Sequence, residues 1–125
     1  MSQSKPTDNE LAILNVLWAH GQATVREVYD ALYRDDGGGY TTALKMLQVM
    51  HAKGLVERDS HQRAHVYRAT CSKEQTQRSL LADLVRRAFD GKPSQLVLQA
   101  LGDTAPASEA ELAAIRSLLT RLEAE

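Results

Sequence analysis

The stretch from Gly39 to Ala69, GYTTALKMLQVMHAKGLVERDSHQRAHVYRA, constrains the fold more than any other part of this 125-residue chain. Ala43, Met46, Leu47 and Met50 recur at i, i+3, i+4 and i+7, the spacing of one buried helix face, which predicts a helix over Tyr40–Lys53. Gly54 supplies the left-handed residue that ends such a helix. Two short strands are expected next, at Leu55–Arg58 and Ala64–Ala69, with Ser60–Arg63 as a polar, basic turn between them. A helix with polar side chains on its free face, beside a β-hairpin carrying histidine and arginine at its tip, is the build of a winged helix-turn-helix. That build points to duplex DNA as the ligand.

Helix starts elsewhere are marked by capping boxes, in which a Ser or Thr and a Glu or Gln three residues on satisfy two orphan backbone N–H groups together. They occur at Thr7/Glu10, Thr24/Glu27, Ser72/Gln75 and Ser108/Glu111. A first helix over Asp8–Ala19 is expected to bury Leu11, Leu14 and Trp18, with the indole N–H of Trp18 needing a partner. A short strand at Ala23–Val25 and a second helix, Val25–Tyr33, burying Val28, Ala31 and Leu32, come next. Arg34–Gly39 reads as a linker, with solvated Asp35 and Asp36 and with Gly37–Gly39 as a hinge before the third helix. Tyr40 either packs at that helix start or reaches a phosphate.

Beyond Thr70 the pattern becomes purely helical. Ser72–Phe89 carries Leu80, Leu81, Leu84, Val85 and Ala88; Gly91-Lys92-Pro93 breaks it; Pro93–Leu101 follows, with Leu96 on its stripe. A loop over Gly102–Ala107 leads to a last helix, Ser108–Glu123, with Leu112, Ile115, Leu118, Leu119 and Leu122. These leucines have no sheet or bundle of their own to cover, so a homodimer through Ser72–Glu125 is expected. The fold class is therefore mainly α with a small β-wing: a winged helix over 1–71 and a helical dimerisation domain over 72–125.

Charge counted locally agrees with this. The formal net charge is −1, but Tyr40–Thr70 carries +3 from Lys45, Lys53, Arg58, Arg63 and Arg68 against Glu57 and Asp59, leaving −4 elsewhere. The polar start MSQSKPTDNE has no apolar run behind it, and one cysteine, Cys71, precludes an internal disulfide, so a cytoplasmic home is expected. No nucleophile elbow, HExxH, CxxC or nucleotide loop is present, which argues against an enzyme and implies no cofactor. His61, His65 and Cys71 read as wing and linker residues rather than a zinc site, which needs three or four converging ligands.

In order along the chain, Thr7-Asp8-Asn9-Glu10-Leu11, Val16-Leu17-Trp18, Thr24-Val25-Arg26-Glu27-Val28, Thr42, Lys53-Gly54-Leu55-Val56, Arg63-Ala64, Val66-Tyr67, Ser94–Leu101 and Glu111–Leu122 resemble the BlaI/MecI/CopY penicillinase-repressor group. The resemblance implies a homodimeric repressor of a promoter bearing an inverted repeat. It places the third helix in the major groove, where Tyr40, Thr41, Thr42, Lys45 and Gln48 would face DNA, and puts Arg58, His61 and Arg63 on the backbone or minor groove. Val49 stands where many members carry arginine. The bond cut during induction of the penicillin-responsive members, Asn-Phe, corresponds to Gln99-Ala100, and the implied partner is a membrane metalloprotease sensor. The cysteine cluster of the copper-responsive branch cannot be built from Cys71 alone. The rival class is a winged helix that binds a protein, since Leu44, Val49 and Ala52 make the third helix less polar than a dedicated groove reader.

Overall fold

A computed structural model describes residues 5–35, 37–61, 63–103 and 107–125. Its elements run α1 (Asp8–His20), β1 (Ala23–Thr24), α2 (Val25–Leu32), α3 (Tyr40–Lys53), β2 (Val56–Asp59), β3 (Val66–Ala69), α4 (Lys73–Ala88), α5 (Pro93–Asp103) and α6 (Glu109–Ala124). The chain divides into two compact units, Met1–Leu80 and Leu81–Glu125. Unit 1 is a winged helix: three helices against an antiparallel sheet of order β1-β3-β2.

All four capping boxes close. Thr7, Thr24, Ser72 and Ser108 each accept the backbone N–H of the residue three on, at 3.1–3.2 Å, and the paired Glu or Gln side chain accepts theirs at 2.9 Å. The end of α3 is a Schellman turn. Gly54, at φ +83°, donates to the His51 carbonyl at 3.1 Å and Leu55 to the Met50 carbonyl at 2.9 Å. Leu55 therefore belongs to the helix stop, and β2 begins one residue later than the sequence suggests.

The core of unit 1 gathers Ile13, Leu14 and Leu17 of α1, Val25 and Val28 of α2, Ala43, Leu47 and Met50 of α3, and Leu55, Val56 and Tyr67 of the wing. Three expectations are corrected here. The α1 stripe is centred on Ile13, Leu14 and Leu17, with Leu11 and Trp18 half-buried at its flanks; Met46 is likewise half-buried at the edge of the α3 face; and Ala31 is exposed. The rest of the expected faces is recovered, with Leu14, Val28, Ala43, Leu47 and Met50 all buried.

Wing register pairs Val56 with Ala69, Glu57 with Arg68, Arg58 with Tyr67 and Asp59 with Val66. Because β3 is the central strand, Ala23 and Thr24 pair with Tyr67 and Val66 on its other edge. Ala64 and His65 precede the strand, so the wing connection is longer than the expected Ser60–Arg63 turn. Two of the linker glycines have local steric and capping tasks. A Cβ on Gly38 would lie 2.8 Å from the Tyr33 ring, whereas Gly39 is the N-cap of α3. Asp36, Gln62 and the loop positions Thr104–Pro106 lie outside the described residues; Gly102, expected in that loop, continues α5.

Among the described residues, one polar side chain is buried with the core. Glu10 is 2% exposed, and its carboxylate accepts Lys53 Nζ at 2.8 Å and the Thr7 N–H at 2.9 Å. Burial pushes the carboxyl pKa up, but the Lys53 hydrogen bond, the Thr7 N–H and the Lys53 charge outweigh it and hold it below the ordinary value. The pair joins the first turn of α1 to the last residue of α3.

Replacing Lys53 with methionine removes the charged partner of that carboxylate, leaving the Thr7 N–H on its other oxygen, and is expected to cost about 2 kcal/mol at pH 7, less than a fully enclosed pair because Lys53 is one-third exposed. The stabilisation from a depressed carboxyl is present above its unfolded pKa and lost as pH falls through the folded one. The gap between wild type and variant in urea denaturation should therefore close on acidification below about pH 4.5. An unchanged gap down to pH 2 would show that the pair is not its source.

Candidate nucleic-acid interface

The free face of α3 follows from the buried one. With Ala43, Leu47 and Met50 turned into the core, Thr41, Lys45, Gln48 and Ala52 fall on the opposite side at i, i+4, i+7 and i+11 spacing, flanked by Thr42 and Val49. All six are exposed, while Leu44 is half-buried against the core. Tyr40 opens the helix with its ring centroid 6.1 Å from that of Tyr29, tilted by 59°, and remains 46% exposed. The packing alternative for Tyr40 is thus realised, with part of the ring left at the surface. Behind it, the Arg26 guanidinium lies 5.8 Å from the Tyr29 centroid.

The wing contributes Arg58 from β2 and His61 and Arg63 from its connection, all exposed. His61 is held by its own backbone, whose N–H donates to Asp59 Oδ1 at 2.9 Å, a local turn that also occupies the acidic side chain nearest the tip. Between the wing and the last turn of α3 runs an open groove of about 700 Å3, lined by His51, Gly54, Arg58, Asp59, His61 and Arg68 among others. His51 is the residue that sequence reading left out. It falls in the last turn of α3, between the predicted reading face and the core, so periodicity alone gave it no task.

The cations separate by commitment. Lys53 belongs to Glu10, and Arg68 bonds Glu57 across the strand pair at 2.8 Å. Among the described residues no ion pair engages Lys45, Arg58 or Arg63. These three remain available to an external anion. No group of three or more His, Cys, Asp or Glu side chains converges as metal ligands among the described residues.

The penicillinase repressor family model matches residues 6–121, nearly the whole winged helix and the helices after it. The chain belongs to the penicillinase repressor family. It is 32% identical over 118 residues to the transcriptional regulator BlaI of two Mycobacterium tuberculosis strains, CDC 1551 / Oshkosh and ATCC 25618 / H37Rv, covering 94% of this chain and 84% of each relative. As a member of a repressor family it is a transcriptional regulator, not an enzyme. Among solved structures, it is similar to that of Bordetella bronchiseptica BpsR, described for regulation of DNA binding by 6-hydroxynicotinic acid (21% identity, TM-score 0.46, 98% of this chain and 78% of that one). It is also similar to the transcriptional regulator BldR of Sulfolobus solfataricus (20% identity, TM-score 0.41, 90% and 74%).

The dimerisation residues named from sequence separate by exposure. Leu80, Val85, Leu96, Leu112 and Ile115 are half-buried, whereas Leu81, Leu84, Leu118, Leu119 and Leu122 stand about half exposed, joined by Val97, Leu98 and Leu101 of α5. Gln99 and Ala100 sit inside α5 with both side chains exposed. No helix among the described residues is long and apolar enough to cross a membrane.

If the uncommitted cations meet phosphates, Lys45→Ala and Arg63→Ala should each lower the log–log salt slope of DNA binding by about 1 per half-site. Arg68→Ala, whose guanidinium already serves Glu57, should lower it by less. Anisotropy titrations across salt concentrations measure all three, and equal slopes throughout would remove these side chains from the interface.

Proposed function

We propose that this family member is a sequence-specific DNA-binding repressor that acts as a homodimer on an inverted-repeat operator. The observation that carries the reading is the division of labour on α3: one face buried, the other lined by Thr41, Lys45 and Gln48 with no acidic side chain among them. Threonine and glutamine reach base edges by hydrogen bonding, a threonine methyl suits a thymine methyl, and Lys45 reaches guanine or phosphate. Arg58, His61 and Arg63 would then meet the backbone or minor groove, setting register rather than sequence. Domains 1–71 and 72–125 take the tasks of DNA reading and dimerisation, in the cytoplasm with the DNA.

The second copy is argued from α4, α5 and α6. Eight large apolar residues stand about half exposed or more. Covering the exposed half of each contributes on the order of 1 kcal/mol, a total comparable with the roughly 4–15 kcal/mol cost of association. Two linked winged helices would read half-sites about 34 Å apart, and the second contact would be effectively intramolecular. A protein-binding role for α3 is less well supported, because Val49 and Ala52 are its only exposed apolar residues beyond Tyr40 and form no broad patch. Induction through a membrane metalloprotease sensor comes from the family resemblance. Cutting at Gln99-Ala100 would require α5 to open locally first.

Footprinting of the DNA upstream of its own gene should reveal two symmetry-related protected patches about one helical turn apart. The Leu118→Glu/Leu122→Glu variant should sediment as a monomer and lose about 100-fold in affinity for that DNA. A single protected patch, or a variant that keeps full affinity, would contradict the dimeric reading.

A further inference from the structure

The groove between the wing and the last turn of α3 collects charged groups from every element around it. α3 gives it His51, β2 gives Glu57, Arg58 and Asp59, the wing connection gives His61, and β3 gives Arg68. Its fixed charges cancel, because two arginines face two acids. Arg68 is bonded to Glu57 at 2.8 Å, and Asp59 Oδ1 accepts the His61 backbone N–H at 2.9 Å. Among the described residues, no ion pair or hydrogen bond engages the Arg58 guanidinium or either imidazole. The groove therefore carries no net formal charge while both imidazoles are neutral, and it gains one unit with each proton they take up. Imidazole changes charge between about pH 5 and pH 8, an interval in which carboxylates and guanidinium groups do not titrate.

The occupant follows from the way a winged helix meets a duplex. A helix in the major groove and a wing on the adjacent minor groove straddle one strand, because a sugar–phosphate backbone separates the two grooves. The space between helix and wing is where that strand passes. A phosphodiester brought there carries a negative charge, which favours the protonated form of a nearby imidazole. We infer that this groove is a proton-dependent seat for a DNA backbone phosphate, formed by Arg58 with the imidazoles of His51 and His61, so that binding DNA takes up protons. The inference rests on the DNA-reading role of α3. It adds His51 to the interface and makes the affinity of the whole contact depend on pH. His51 is exposed on the flank of α3 that faces the wing, so substitutions there leave the core untouched.

The test is fluorescence anisotropy of the full chain on its own footprinted duplex and on a scrambled one, at constant ionic strength. Wild type should bind its own duplex about tenfold more tightly at pH 6 than at pH 8. In the His51→Gln/His61→Gln variant that ratio should fall to about twofold or less. His65→Gln, which changes a histidine outside the groove, should keep the wild-type ratio. His51→Lys supplies a permanent charge and should bind about threefold more tightly than wild type at pH 8, a gain that a merely structural role for His51 would not produce. Wild type binding its own duplex selectively but equally well at both pH values would overturn the inference alone. The double variant keeping the tenfold ratio, or His65→Gln abolishing it, would overturn it as well. A chain that binds neither duplex at either pH would instead overturn the DNA-binding function, and this inference with it.

Discussion

The ion pair between Glu10 and Lys53 joins two helix ends that are far apart in sequence, tying the last residue of α3 to the first turn of α1. Glu10 lies in the first turn of α1 and Lys53 ends α3, so each charge also sits at the helix terminus whose dipole favours it. A buried pair of this kind contributes little over an apolar contact of the same shape, yet losing one partner is expensive. Its value is geometric. Together with the Schellman turn at Gly54 it fixes the C-terminal end of α3, while Ala43, Leu47 and Met50 hold the helix by one face. The opposite face is left with nothing to do inside the protein.

That constraint explains how the cations are distributed. A regulator that presents charge to DNA must keep some positive groups out of its own ion pairs, and here the paired and unpaired sets separate cleanly. Lys53 and Arg68 brace the wing and α3, while Lys45, Arg58 and Arg63 have no acidic partner among the described residues. Asp59, the acid closest to the wing tip, is occupied by the His61 N–H. The segment that carries α3 and the wing, Tyr40–Thr70, holds +3 against −4 on the rest of the sequence.

Much of this was legible in the sequence because the signals are local. Capping boxes need residues three apart, the stop at Gly54 needs one glycine, and the α3 face needs three turns of apolar spacing; all were read correctly. What escaped depends on long-range partners. Glu10 reads as an ordinary capping acid, and nothing near it announces that Lys53, 43 residues on, will bury it. Trp18 signalled that it needed an acceptor but not that a backbone carbonyl 53 residues away would supply it. Wing strand ends were misplaced by one or two residues because the connection has no glycine or proline to mark it. The site residues fared similarly: α3 positions followed from periodicity, whereas the groove beside His51 exists only once the wing folds back on the helix end.

The central claim is that the free face of α3 reads DNA sequence. Fluorescence anisotropy of the purified chain against its own upstream duplex and a scrambled one, at several salt concentrations, tests this most directly. The account predicts tight binding to its own DNA at near-physiological salt, weak binding to the scrambled duplex, and steep weakening of both as salt rises. Equal affinity for the two duplexes at every salt concentration would contradict it, leaving α3 a surface that grips phosphate without reading bases.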